Sequence, residues 1–121
     1  MEGVERLQDC IFCQIVQGRI PADLVYEDES ILAFKDIRPV APVHILLITK
    51  KHIPSLSDVD NDEDARLIGK LHRAAVSAAG RAGVLGSGFR LVANCGKDAG
   101  QLVDHLHYHL LAGRSLQWPP G

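Results

Sequence analysis

Several things are missing from this sequence. Nowhere do about 18 apolar residues run together, so no segment predicts a membrane-spanning helix. The opening MEGVERLQDC carries acids and lacks the apolar centre of a secretory signal, so a cytoplasmic protein with no membrane partner is expected. No long basic run occurs, and the formal net charge is -2 at pH 7, which argues against a nucleic-acid partner held through phosphate contacts. A small phosphorylated ligand stays open, because one pocket can hold a phosphate without making the whole chain basic. Cysteine is scarce. Three residues among 121, two of them as CIFC at Cys10 and Cys13, do not make a disulfide framework and point to a reducing compartment. Internal repeats, low-complexity tracts and long linkers are absent, so one domain over 1–121 is expected, and 46% hydrophobic content is enough for a compact core.

What is present reads as a short helix, three strands, a long helix and two further strands. ERLQDCIFCQIVQG places Leu7, Ile11, Ile15 and Phe12 on one helical face, with Gly18 at the position of a C-cap. LVYEDESILAF predicts a hairpin with strands Leu24 to Glu27 and Ile31 to Lys35, and VHILLITK predicts a central strand after the prolines of DIRPVAP. The acidic DVDNDED supplies N-cap candidates for a long helix in which Leu67, Ile68, Leu71, Ala75, Ala78, Ala79 and Ala82 recur at helical spacing. GVLGSG ends that helix. FRLVAN is a fourth strand, CGKDAGQ a glycine-containing loop, and Val103 to Ala112 a fifth strand. Short connections favour antiparallel pairing, which gives an α+β fold: a five-stranded antiparallel sheet with one short and one long helix.

The fifth strand, VDHLHYHLLAG, carries histidine at every second position. Side chains alternate across a strand, so His105, His107 and His109 share one face while Leu106, Tyr108 and Leu110 share the other. The apolar row is expected to pack and the histidine row to show. Neighbouring histidines on such a face stand roughly 7 Å apart, too far for all three to fill one mononuclear metal site, so they must divide the labour. CIFC has three readings: a redox dithiol, half of a zinc site, or two small buried residues. The βαβ setting of a thioredoxin-type dithiol is missing, and a zinc site would need two further ligands, for which His44, His52 and the triple-histidine strand are available. Cys95 reads as an incidental thiol.

HLHYHLL resembles the His-φ-His-φ-His-φ-φ motif, φ apolar, of the histidine triad (HIT) family, with Tyr108 as the one amphipathic φ. The likeness covers nearly the whole chain: CIFCQIVQGRIPA, VYEDESILAFKDIRPVAPVHILLITKKHI, GKDAGQLVDHLHYHLLAGR and WPPG resemble successive landmarks of its Hint branch, the histidine triad nucleotide-binding proteins. That resemblance implies a HIT-like fold dimerising into a ten-stranded sheet. It also implies binding of a purine nucleoside monophosphate or phosphoramidate, and hydrolysis of nucleoside 5'-phosphoramidates of the AMP-amine type. Residues 1–8 would be an N-terminal extension, and residues 114–121 a C-terminal tail reaching the dimer partner.

The family pattern also implies roles. His107 is the nucleophile, forming a nucleotidyl-histidine intermediate; His109 donates to the phosphoryl oxygens; His44 stands beside the triad. The loop GKDAGQ turns backbone N–H groups near Gly100 and Gln101 to the phosphate, Asn94 belongs to the same pocket, and Asp36 accepts from the ribose hydroxyls. Ile11, Phe12, Ile15, Phe34 and Ile37 match the walls of the purine slot, and Trp118 in the tail shapes the leaving-group side of the partner. In relatives with the paired cysteines, Cys10, Cys13, His52 and His105 surround a structural zinc, and no catalytic cofactor is implied. Two cysteines and two histidines saturate a tetrahedral zinc, leaving no open position for water. One departure stands out: Leu102 occupies the place where relatives commonly have serine. Two rival readings share these residues, a nucleotide-binding adaptor with little turnover and a zinc hydrolase with an open metal position.

Overall fold

The computed structural model describes residues 9–121. The expected extension 1–8, and with it Leu7, lies outside the described residues. In chain order the elements are α1 (Ile11–Val16), β1 (Leu24–Glu27), β2 (Ile31–Lys35), β3 (Val43–Thr49), a 3-10 turn (Leu56–Asp58), α2 (Asp62–Arg81), β4 (Phe89–Val92) and β5 (His107–Ala112). The five strands form one sheet in the order β1-β2-β3-β5-β4, every neighbouring pair antiparallel.

Local chemistry explains where the elements begin. The β1–β2 turn is tied by Asp28, whose Oδ1 accepts the N–H groups of Ser30 and Ile31 at 2.8 Å each. The long helix α2 is capped by Asn61, whose side chain accepts the Asp64 N–H at 2.8 Å. Asp62, Glu63 and Asp64 stand in its first turn and Arg81 in its last, as the helix dipole favours. Alanines at 74, 75, 78 and 79 are buried with Leu71, so α2 approaches the sheet closely over Ile31, Ala33, Ile45, Leu47 and Leu110.

The opposite face has its own core. Phe12 and Cys13 of α1, with Cys10 before it, pack on Leu32, Phe34, Leu46 and Ile48. Strands β2 and β3 are therefore buried on both faces, with alternate residues serving the two layers.

Two expectations about the histidine strand are corrected. β5 begins at His107 rather than at Val103, because the chain bends through 103–105 and Leu106 donates its N–H to the Ile53 carbonyl at 2.7 Å instead of joining the ladder. The histidine row also does not show. His105 is fully buried and His107 only 6% exposed, because α1 lies across that face and sets the Phe12 ring edge-on to both imidazoles. The apolar row packs as expected, with Leu106, Tyr108 and Leu110 in the α2-side core. The fourth strand is shorter than FRLVAN and ends at Val92, which leaves Asn94 in the following loop.

Candidate active site and metal-binding cluster

Hydrogen bonds fix the role of each imidazole nitrogen. The Nδ1 of His107 lies 2.6 Å from the backbone carbonyl of His105. A carbonyl only accepts, so this Nδ1 carries the proton and the Nε2 of His107 keeps an available lone pair. His44, on β3, accepts the Val40 N–H at its Nδ1, 3.1 Å away. The proton of neutral His44 is then on Nε2, which lies 2.9 Å from the Nδ1 of His109 and 3.3 Å from Oδ2 of Asp36. Donation along the shorter contact makes the Nδ1 of His109 an acceptor and leaves its Nε2–H as a donor. Burial lowers the pKa of His44, and the Asp36 carboxylate only partly offsets this, so the contact between them joins a neutral imidazole to a carboxylate. Burial, with the neighbouring imidazoles His107 and His44, holds His109 down to about 4.

His107 and His109 line a cleft of about 660 Å³. Ile11, Phe12 and Ile15 of α1, Phe34 of β2 and Ile37 form apolar walls, and Asp36, Asn94, Gly100 and Leu102 are also on its lining. Ile37 and Leu102 sit at the rim, 92% and 94% exposed. The Asn94 side-chain amide meets no hydrogen-bond partner among the described residues, which suits it to a ligand. A wide apolar slot ending in a few polar groups is the usual form of a small-molecule site.

The glycine-containing loop differs from expectation. The N–H of Gly100 donates to the Lys97 carbonyl at 3.0 Å and that of Gln101 to the Gly96 carbonyl at 3.1 Å, so these two groups close the loop and do not face a ligand. The side chain of Gln101 also turns away from the cleft. Its Oε1 accepts the Gly96 N–H at 3.0 Å, and its Nε2 donates to the carbonyls of Pro54 at 2.8 Å and Val103 at 3.0 Å. The N–H groups of Leu102 and Val103, both residues on the cleft lining, have no partner among the described residues.

Behind this cleft, four ligand atoms converge. The Sγ of Cys10 and Cys13 and the Nδ1 of His52 and His105 lie within 4.8 Å of one another. Tetrahedral coordination at zinc distances requires edges of about 3.3 Å between nitrogens and about 3.5 Å between sulfur and nitrogen. The two nitrogens are 3.2 Å apart, and the sulfur–nitrogen contacts are 3.3 Å (Cys10–His105), 3.2 Å (Cys13–His52) and 3.5 Å (Cys13–His105). The other nitrogen of His105 donates to the Thr49 carbonyl at 2.7 Å, which leaves Nδ1 bare toward the cluster. Cys10 caps α1 and accepts the Cys13 N–H at 3.3 Å. Without a cation, burial and the neighbouring sulfur push the Cys13 thiol up to about 12, and burial holds His105 down to about 4. The residues fit a metal ion of zinc type.

Asp36, His44 and His109 form a second close group of potential ligands, but they do not fit a metal. The Val40 N–H occupies the Nδ1 of His44, so its Nε2 carries a proton where a metal would need a lone pair.

A model of the HIT domain matches residues 17–116 of this chain. The chain belongs to the HIT domain family. An uncharacterised HIT-like protein of Synechocystis is 51% identical over 114 residues, which are 94% of this chain and 98% of that protein. Among solved structures, a HIT family hydrolase of Legionella pneumophila is 50% identical, with a TM-score of 0.89 over 93% of this chain and all of that one. A histidine triad protein of Clostridium difficile is 49% identical, with a TM-score of 0.86 over 90% and 94% of the two chains. Among the described residues of this HIT domain, no helix is long and apolar enough to cross a membrane.

The HIT fold thus brings together His107, His109 and His44, the five apolar wall residues with Asp36 and Asn94, and the four cluster residues. Gln101 is not on the lining, and Trp118, 80% exposed, does not reach the cleft of its own chain. Sequence reasoning missed Ile20, Ala22, Leu46 and Val103, which also line the cleft. Strand alternation with His44 would have found Leu46; the loop residues give no periodic signal.

Proposed function

We propose that this HIT domain is a purine nucleotide-binding hydrolase of the Hint branch that cleaves nucleoside 5'-phosphoramidates. The observation that carries the reading is the short bond from the His107 Nδ1–H to the His105 carbonyl, which keeps the Nε2 lone pair free on the cleft side. An imidazole so held is a neutral-pH nucleophile, and the carbonyl stabilises the charge that forms on the ring as Nε2 bonds to phosphorus. In the first step the Nε2–P bond forms and the P–N bond breaks, the nitrogen taking up a proton and leaving as an amine. In the second, water attacks phosphorus, the Nε2–P bond breaks, and a nucleoside monophosphate and a proton are released. The Nε2–H of His109 and the backbone N–H groups of Leu102 and Val103 serve the phosphoryl oxygens, Asp36 the ribose, and the apolar walls the base.

Cys10, Cys13, His52 and His105 would hold a structural zinc that ties α1 to the approach to β5. The full complement of four protein ligands disfavours a zinc hydrolase, which needs an open position. The relatives named as hydrolases support turnover, whereas Leu102 in the serine position favours the adaptor reading. A homodimer completes the proposal: among the described residues β4 is an edge strand with one side open to pair, and the tail carries an exposed Trp118.

The test is turnover of an adenosine phosphoramidate by the wild type and by His107→Ala, with and without a chelator. Activity that survives chelation and is lost in His107→Ala is expected. AMP binding without turnover in the wild type would refute the hydrolase and leave the adaptor.

A further inference from the structure

Helix α1 belongs to two sites at once. Cys10 at its N-cap and Cys13 within it supply half of the metal cluster, while Ile11, Phe12 and Ile15 of the same six-residue segment line the cleft. A helix so short has no stability of its own and stays in place only through what it touches. The Phe12 ring stands edge-on to His107 at 5.2 Å and to both His105 and Phe34 at 5.8 Å. The other bridge is His105. Its Nδ1 faces the cluster, its Nε2 donates to β3 through the Thr49 carbonyl at 2.7 Å, and its own carbonyl holds the His107 Nδ1–H at 2.6 Å. Whatever fixes His105 fixes the acceptor that orients the His107 ring.

We propose that metal binding at Cys10, Cys13, His52 and His105 and nucleotide binding in the cleft are positively coupled, with α1 and His105 as the element that both sites bias. This rests on the reading of the cleft as a nucleotide site. With a metal bound, four bonds clamp α1 to the 52 and 105 segments, so the apolar wall and the oriented His107 are formed before a ligand arrives. Without it, α1 is held by side-chain packing and by weak thiol–imidazole contacts such as Cys10–His105 and Cys13–His52 in place of metal bonds, and a ligand must select the docked form from a broader set, which lowers its apparent affinity in proportion. Linkage requires the reverse effect to be equal: nucleotide raises metal affinity by the factor by which metal raises nucleotide affinity. His105 is then a positioning residue for His107 as well as a ligand.

The experiment uses the full chain, zinc-loaded and chelator-stripped. The α2-side core holds none of the four ligands, so circular dichroism is expected to show the sheet and α2 retained after stripping. Calorimetry gives the AMP affinity of each form, and competition with a chromophoric chelator gives zinc affinity with and without AMP. A rise of about tenfold is expected in both, a common size for coupling between sites. Cys13→Ser at saturating zinc should bind AMP as the stripped protein does. Hydrogen exchange, with no nucleotide present, should show residues 10–17 and 105–107 gaining protection on zinc loading. Equal AMP affinity in loaded and stripped protein, or Cys13→Ser binding AMP as tightly as the loaded wild type, overturns the coupling. Failure of AMP to bind either form, while hydrogen exchange responds to zinc, overturns the nucleotide reading instead and the coupling with it.

Discussion

Gln101→Ala is the sharpest test of how the proposed phosphate end of the cleft is built. The side chain makes three hydrogen bonds, to the Gly96 N–H and to the carbonyls of Pro54 and Val103, and it stands off the cleft lining. A typical intramolecular hydrogen bond contributes about 0.5–1.5 kcal/mol net. Gln101 is partly exposed and water replaces some of what is lost, so the substitution should cost about 1–2 kcal/mol in all. For a domain of this size that is a fall in Tm of about 4–8 °C. The functional consequence is selective. The loop loses the clamp that aims the Leu102 and Val103 N–H groups, so AMP affinity should fall about tenfold, the equivalent of roughly 1.4 kcal/mol. Adenosine, which has no phosphate, should bind as before. Gln101→Glu should be worse than alanine, since it sets a carboxylate oxygen against two carbonyls where an amide donated. Titration calorimetry with AMP and adenosine, beside a thermal melt, reads both effects. An equal loss for the two ligands would show that the loop does not serve the phosphate, and an unchanged Tm that the three bonds contribute nothing.

Three further outcomes are expected. The pKa of His109 is depressed from 6.5 to about 4, mainly by burial, so between those values the unfolded chain binds a proton that the folded chain does not. Stability should therefore fall as pH drops through this window, by at most about 1.4 kcal/mol per pH unit and by less after solvent screening of a half-buried group; urea melts of His109→Gln with the same pH slope as the wild type would refute it. Leu102→Ser should raise kcat by about 10–100-fold with AMP affinity unchanged, by adding a donor used only in the transition state, and should leave stability within about 0.5 kcal/mol because the side chain is exposed. An unaltered kcat on both alkyl and aryl amine leaving groups would make that side chain a spectator. Deletion of residues after Leu116 should change the ratio of rates on small and bulky phosphoramidates, and an unchanged ratio removes Trp118 from substrate choice.

Much of the fold was legible because local chemistry and tertiary packing agree there. The β1–β2 hairpin and α2 lie where apolar periodicity, an Asp-tied turn and an acidic first turn put them. The errors fall where a distant segment decides. Alternation continues through Val103 and His105, but the Leu106 N–H is claimed by Ile53, 53 residues earlier, so the ladder starts later than the pattern. A histidine row opposite an apolar row reads as solvent-facing, and nothing in those residues reports that α1 covers it. The turn of the Gln101 side chain away from the cleft depends on the position of the Pro54 carbonyl, which local sequence does not encode. The cluster residues at 10, 13, 52 and 105 came from the family pattern, since spacing alone left dithiol, zinc and plain burial equally open.

The three histidines of the HLHYH repeat end in three different hydrogen-bond arrangements, which main-chain groups largely decide. His105 gives its Nε2–H to the Thr49 carbonyl and keeps Nδ1 bare toward Cys10, Cys13 and His52. His107 gives its Nδ1–H to the His105 carbonyl, two residues earlier, and keeps the Nε2 lone pair for the proposed attack on phosphorus. His109 receives at Nδ1 from His44, itself set by the Val40 N–H, and keeps Nε2–H as a donor. The proposed ligand, nucleophile and donor differ by which ring nitrogen a neighbour engages, not by the side chain. The two-residue repeat supplies the common face, but the roles follow from the bend before β5. That bend carries the His105 carbonyl to the His107 ring, where a continued ladder would have directed it at a neighbouring strand.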